Sequence, residues 1–406
     1  MKVKIEPSQL KGGIKAPPSK SFAHRMLICA ALARGSSTVH GISGSDDMKA
    51  TMACMRALGA QAEQTGDTVT VEGITGNCSG TVQLECNESG STLRFFIPLS
   101  LVFAEEAVFK GTKRLIERGA GIYEEMLGGS GISFEKGNES IAVRGKLKAG
   151  HYTMRGNVSS QFASGMLFAL PLLEGDSSLT VTEPVESRSY IDITLSALSS
   201  FGIETEESPK NTFHIKGSQE YKAGRAFVEG DWSNAAFLYG FNSIGAQIDI
   251  SGLNNESIQG DMACVSMFKA LDGEAPRIDL SNCPDLGPVL FAAAAAKNGA
   301  AFTGIRRLRI KESDRAAVMA AELAKFGIEC DVKENEMTVR GGNLKKPCEV
   351  LNGYNDHRIV MSLAMLLSLT GGEIEDAQAV RKSWPDFFEE MKKLGMRVSC
   401  TDGGNF

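Results

Sequence analysis

The sequence lacks any Cys-x-x-Cys pair or metal-ligand spacing, although nine cysteines occur, at positions 29, 54, 78, 86, 264, 283, 330, 348 and 400. An odd number of thiols in a long chain reads as reduced, buried cysteine in a cytoplasmic protein, not as a disulfide framework. Also missing are a GxxxxGK[ST] phosphate loop, an HExxH zinc pair, a GxSxG elbow and a GxGxxG turn opening a helix after a strand. No nucleotide, metal or serine nucleophile is therefore indicated. Long apolar runs are absent too. The most apolar stretch, near Leu290 to Ala296, is Ala-rich and too short to span a bilayer, and the N-terminus lacks the apolar core of a signal peptide. Positive charge is not in excess either: the net charge of −6 argues against nucleic acid as a bulk partner.

What is present is a globular composition, 42% hydrophobic and 23% charged, in 406 residues. That length exceeds one ordinary core and predicts two domains.

A phrase recurs along the chain: helix end, Gly turn, alternating strand. It occurs at Leu58-Gly59-Ala60, Ser130-Gly131-Ile132, Phe201-Gly202-Ile203, Phe326-Gly327-Ile328 and Leu394-Gly395-Met396, and more weakly at Leu271-Asp272-Gly273. Glycine suits a helix C-cap because it takes a left-handed backbone without a Cβ clash. Four of these turns lead into a second alternating strand ending in Gly, at Val69–Gly73, Ile141–Gly145, Phe213–Gly217 and Met337–Gly341, which predicts hairpins. The fourth unit is short, since Arg277-Ile278-Asp279-Leu280 runs straight into the fifth and leaves no room for a hairpin. The spacing predicts six α/β units, three to a domain, with a new unit beginning near Val228-Glu229-Gly230-Asp231.

Between these turns lie six polar clusters that open apolar helices: Pro18–Ser21, Glu88–Ser91, Val158–Gln161, Asp231–Asn234, Pro284–Gly287 and Asn355–Arg358. Ser, Asp and Asn cap helix starts, and free amides there attract anions. Basic residues stand beside them: Lys20, Arg25, Arg94, Arg118, Lys311, Arg315, Arg358 and Lys382. Arg matches carboxylate and phosphate oxygens bidentately, whereas Lys supplies a mobile point charge. The pattern predicts anionic ligands held between domains. Taken alone, Asp285 reads as a helix cap behind Pro284, and Glu312 as an ion-pair partner of Lys311 or Arg315.

Several of these segments resemble one family. Pro18-Ser19-Lys20-Ser21-Phe22-Ala23-His24-Arg25 is similar to the SKSxxxR signature of the 3-phosphoshikimate 1-carboxyvinyltransferases, or EPSP synthases. Gly90-Ser91-Thr92-Leu93-Arg94 resembles their GTxxR segment, and Arg309-Ile310-Lys311-Glu312-Ser313-Asp314-Arg315 their RxKE[ST]DR segment. Asp356-His357-Arg358 and the tail from Lys382 match as well, so the likeness runs from about residue 6 to 395.

The resemblance implies an α/β fold of two similar domains, each of three βαβαββ-like repeats in an inside-out α/β barrel, with the active site in the interdomain cleft. The first domain would take residues 14–227. The second would join 1–13 to 228–406. The implied reaction moves the enolpyruvyl group of phosphoenolpyruvate onto shikimate 3-phosphate with no cofactor and no metal, in a cytoplasmic monomer without nucleic-acid or membrane partners. By resemblance, Ser21, Arg25, Ser159, Ser160, Gln161, Ser187, Tyr190 and Lys311 hold shikimate 3-phosphate. Lys20, Gly90, Arg118, Arg315, Arg358 and Lys382 hold phosphoenolpyruvate. Asp285 is the implied base on the 5-hydroxyl and a further substrate contact, Glu312 the proton donor to the methylene carbon, and Lys20 an aid to proton traffic.

The chain departs from the common pattern at Glu88, Ser91, Phe95 and Arg307. Two rivals stand beside this reading. A UDP-N-acetylglucosamine enolpyruvyltransferase usually opens with Lys-Asn where this chain has Lys20-Ser21, and often carries a loop cysteine that Arg114 to Gly121 lacks. A non-catalytic anion-binding protein of the same fold would have no need of Lys20, Asp285, Glu312 and Arg358 together.

Overall fold

A computed structural model describes residues 1–401. The chain packs into two units, Lys20–Glu229 and a second that joins Met1–Ser19 to the chain from Gly230 onward.

The unit Lys20–Glu229 contains three four-stranded sheets with the same order. They are Arg225–Phe227, Ser36–His40, Thr68–Glu72, Gln61–Thr65; then Thr81–Asn87, Glu106–Gly111, Ser140–Arg144, Ser133–Lys136; then His151–Arg155, Ser177–Thr182, Thr212–Ile215, Glu206–Glu207. In each, the first two strands are parallel and the other pairings antiparallel. A parallel pair needs a crossover. Helices Gly90–Phe103 and Ser160–Ala169 supply it in the second and third sheets, and each begins in one of the polar clusters.

The other unit repeats the order twice. One sheet is Arg277–Asp279, Gly299–Thr303, Glu336–Arg340, Cys330–Val332, and the other is Leu351–Asn352, Gly372–Glu375, Val3–Glu6, Arg397–Cys400. Its third sheet has only two strands, Gln247–Ser251 parallel to Lys11–Lys15 along the whole length of both. This is the short fourth unit: Arg277–Asp279 opens the next sheet and no hairpin intervenes. Gly59, Gly131, Gly202, Gly327 and Gly395 hold φ between +77° and +104°, whereas Gly273, at the weak turn, has no such φ.

Burial explains the layering. Helix Lys20–Leu32 is buried at every residue from Phe22 onward, and all nine residues of Gly287–Ala295 are buried. Helices apolar on all sides belong in a core. The strands instead alternate, as in Thr81–Asn87, where every second residue is buried. Helices thus fill the centre of each unit and sheets wrap it, which is the inside-out arrangement; among the described residues the sheets remain separate and no closed barrel forms. Among them, too, no helix is long and apolar enough to cross a membrane.

Candidate active site

In the unit Lys20–Glu229, the helix starts bring guanidiniums together. Arg25 is 2% exposed; its Nε donates to Thr194 Oγ1 at 2.7 Å, Nη1 to the Ser21 carbonyl at 2.8 Å, and Nη2 to Ser164 Oγ at 3.2 Å and the Tyr190 carbonyl at 2.9 Å. Arg94, also buried, donates from Nη1 to Gln161 Oε1 at 2.6 Å and from Nη2 to the Arg118 carbonyl at 3.3 Å. Neither has a carboxylate partner among the described residues. Burial lowers Arg25 to about 10, and burial with the neighbouring Arg118 lowers Arg94 to about 9. Buried charge without a counterion is costly, and an incoming anion relieves that cost.

Gly90 lies against both guanidiniums. A Cβ there would come within 3.0 Å of Arg118 Nη2 and 3.1 Å of Arg94 Nη1, so the first crowding is with the cations themselves. The Ser89 hydroxyl caps this helix by accepting from the Thr92 amide, and Ser159 caps the next by accepting from the Gln161 amide. Ser160 is buried, and Gln161 Nε2 reaches toward Ser91 Oγ at 3.5 Å. Ser187, buried at a left-handed φ of 55°, precedes the helix that carries Tyr190. Lys20 is paired with Asp47 at 2.8 Å. Asp47 carries no sequence signal of its own, because the Asp46-Asp47 pair has no spacing that links it to Lys20.

The second unit gathers the remaining residues into one cluster around Asp285. Its Oδ1 accepts from Arg315 Nη1 at 2.8 Å and lies 3.0 Å from Lys311 Nζ; its Oδ2 lies 3.2 Å from Arg358 Nη2. The start of helix Gly287–Ala295 has no side-chain cap, so Asp285 is not the helix cap that its place after Pro284 suggests. Burial would raise its carboxyl, but Arg358, Lys311 and Arg315 hold it well below the ordinary range. Burial lowers Lys311 to about 8, with Asp285 opposing and Arg315 and Arg307 assisting.

Arg315, 1% exposed, also reaches Glu312 Oε2 at 2.7 Å and Asp356 Oδ2 at 2.9 Å. His357 Nδ1 lies 3.2 Å from the same Glu312 oxygen. Burial would raise Glu312 as well, but His357 and Arg315 keep it well below its usual value. These two cations thus favour the carboxylate form of Glu312. Asp356 accepts from the Arg358 amide and from Ser313 Oγ, fixing the helix start that carries Arg358. Lys382 donates to the Asn355 carbonyl. Arg307, buried, turns its guanidinium to the Ser281 carbonyl. Glu312, Asp356 and His357 have ligand atoms within 4.8 Å of one another, the spacing of a metal site, but Arg315 already occupies both carboxylates.

Repeated α/β units with buried guanidiniums at their helix starts, and a carboxylate cluster held by cations, fit an enzyme of anionic substrates. Residues 5–391 match the family model described as EPSP synthase (3-phosphoshikimate 1-carboxyvinyltransferase). The 3-phosphoshikimate 1-carboxyvinyltransferase of Clostridium botulinum (strain Alaska E43 / Type E3) is 41% identical over 97% of each chain. That of Clostridium kluyveri is 39% identical over 98% of each. An EPSP synthase structure from Acinetobacter baumannii superposes with a TM-score of 0.79, covering 98% of this chain and 100% of that one at 24% identity, a likeness of fold. The chain belongs to the EPSP synthase family.

Proposed function

We propose that this enzyme joins phosphoenolpyruvate to the 5-hydroxyl of shikimate 3-phosphate, giving 5-enolpyruvylshikimate 3-phosphate and inorganic phosphate on the route to chorismate and the aromatic amino acids. The hydroxyl oxygen bonds to C2 of the enol while a proton reaches C3. The C2–O bond to phosphate then breaks as C3 gives a proton back, which restores the double bond.

Ser21, Arg25, Ser159, Ser160, Gln161, Ser187, Tyr190 and Lys311 take shikimate 3-phosphate in this reading. Lys20, Gly90, Arg118, Arg315, Arg358 and Lys382 take phosphoenolpyruvate. Asp285 accepts the hydroxyl proton, Glu312 serves C3, and Lys20 neutralises the departing phosphate. Substrate anions that draw Arg315, Arg358 and Lys311 toward themselves loosen the hold on Asp285 and Glu312. Both carboxyls then rise toward values suited to proton transfer. The observation that carries this reading is the contact of both carboxylates with one buried guanidinium, Arg315, beside Lys311 and Arg358. No disulfide joins any of the nine thiols, which supports a place in the reducing cytoplasm.

The test is phosphate release by the purified protein, with each substrate omitted in turn. Release only with both, without added metal or nucleotide, is expected. Release with UDP-N-acetylglucosamine in place of shikimate 3-phosphate, or none with either acceptor, overturns the reading.

A further inference from the structure

Asp261 belongs to none of the groups assigned above, yet it packs against the Asp285 cluster. It sits in the single turn Gly260–Ala263 and is 4% exposed. The hydroxyl of Ser233, in the first turn of helix Trp232–Ser243, bonds to its carboxylate. That hydroxyl also accepts from Arg358 Nη2 at 2.8 Å, and the same nitrogen lies 3.2 Å from Asp285 Oδ2. A hydroxyl can donate to one group while accepting from another. The connection thus runs Asp261, Ser233, Arg358, Asp285, with two carboxylates sharing one guanidinium.

We propose that Asp261 is a positioning residue for the transfer, holding Arg358 through Ser233 and thereby setting how strongly Arg358 grips Asp285. This rests on the reading in which Asp285 is the base. Burial pushes the Asp261 carboxyl up to about 6; Asp285 and Asp231 add to the rise, while Arg358 and the Ser233 hydroxyl oppose it. The thiols of Cys264 and Cys283, which also face Asp261, are raised by burial and by Asp261 and stay neutral. Above that pH, ionised Asp261 shares the charge of Arg358 and leaves Asp285 more basic. Below it, protonated Asp261 no longer competes with Asp285 for the charge of Arg358, and the base weakens. Turnover at saturating substrate therefore carries a step near this pH that belongs to Asp261.

The experiment measures kcat at saturating phosphoenolpyruvate and shikimate 3-phosphate between about pH 5 and 8, where substrate phosphates also titrate in every variant alike. Asp261→Asn is expected to lose about tenfold in kcat at the upper end, with little change in KM, and to lack the part of the step that Asp261 supplies. Ser233→Ala should behave the same way, and Ser233→Thr should restore both. Wild-type kcat and profile in Asp261→Asn overturn the proposal. So does a uniform loss at every pH with the step retained, the mark of a merely structural role. If Asp261→Asn does not fold, the step decides through Ser233→Ala: its loss supports the proposal and its retention sinks it. Asp285→Asn separates the two readings. Its inactivity beside an unaltered Asp261→Asn rejects this inference alone, whereas turnover in Asp285→Asn rejects the assignment of the base and the inference together.

Discussion

Arg315 donates from Nη1 to Asp285 Oδ1 at 2.8 Å, tying the candidate base to the helix start that follows the candidate proton donor. The same guanidinium holds Glu312 and Asp356, so three carboxylates depend on one planar fork. Lysine keeps the charge but cannot present donors in three directions from one rigid plane. Arg315→Lys is therefore expected to destabilise the protein by about 3 kcal/mol, the order for breaking a buried ion pair. Urea unfolding measures it.

The pH dependence of that loss has a definite sign. Asp285 and Glu312 are both depressed in the folded state, so their stabilisation is complete above about pH 5 and fades as pH falls through the folded values. The difference between wild type and Arg315→Lys should narrow on acidification from neutral pH. A difference that stays constant or widens would mean that the carboxylates do not depend on Arg315.

Arg25 tests the anion reading in the other unit. Its charge is buried among hydroxyls and carbonyls, with no carboxylate among the described residues. Shikimate 3-phosphate at about a hundred times its Kd should stabilise the wild type by about 2.7 kcal/mol. In Arg25→Met this ligand-dependent shift should vanish at the same concentration, with the unliganded protein no less stable than wild type. Thermal melts with and without ligand give both quantities. A full shift in the variant would remove Arg25 from the phosphate site.

Much of the fold was legible because it rests on local rules repeated along the chain. Gly59, Gly131, Gly202, Gly327 and Gly395 are needed for their positive φ, and the hairpins after four turns follow from alternation. The short unit at Gly273 was legible too, since Arg277–Asp279 left no residues for another hairpin. The site was harder, because which charges meet is a long-range matter. Asp285 looked like a cap, and only the approach of Lys311, Arg315 and Arg358 from other elements makes it an ion-pair centre. Asp47, Asp261 and Ser233 carry no motif of their own. Asp47 meets Lys20, and Ser233 meets Arg358 and Asp261, only through packing between separate elements.

Gly165 supports Arg94 from behind. A Cβ there would stand 2.2 Å from the Tyr123 hydroxyl and 2.5 Å from the Arg94 carbonyl, which are themselves hydrogen-bonded at 2.8 Å. The Arg94 carbonyl is helix backbone, so it yields only if helix Gly90–Phe103 moves. Gly165→Ala is expected to cost about 1–3 kcal/mol through overpacking. It should also raise KM for phosphoenolpyruvate, because Arg94 braces Arg118 and Gln161. An alanine variant with wild-type Tm and KM would show that the site does not depend on this contact.

Glu312→Gln tests the proposed proton donor. The amide keeps the size and one acceptor oxygen toward Arg315 Nη2 and His357 Nδ1, so substrate sites formed by neighbouring cations should persist. What it loses is the ability to carry a proton, and general acid–base groups contribute about 10²–10⁴ in rate. Turnover should fall by that order while equilibrium binding of shikimate 3-phosphate changes by less than about threefold. Loss of binding equal to the loss of rate would make Glu312 a support for Arg315. Wild-type turnover would move proton delivery elsewhere, with Lys311 one alternative, since its ammonium at about 8 can release a proton close to neutral pH.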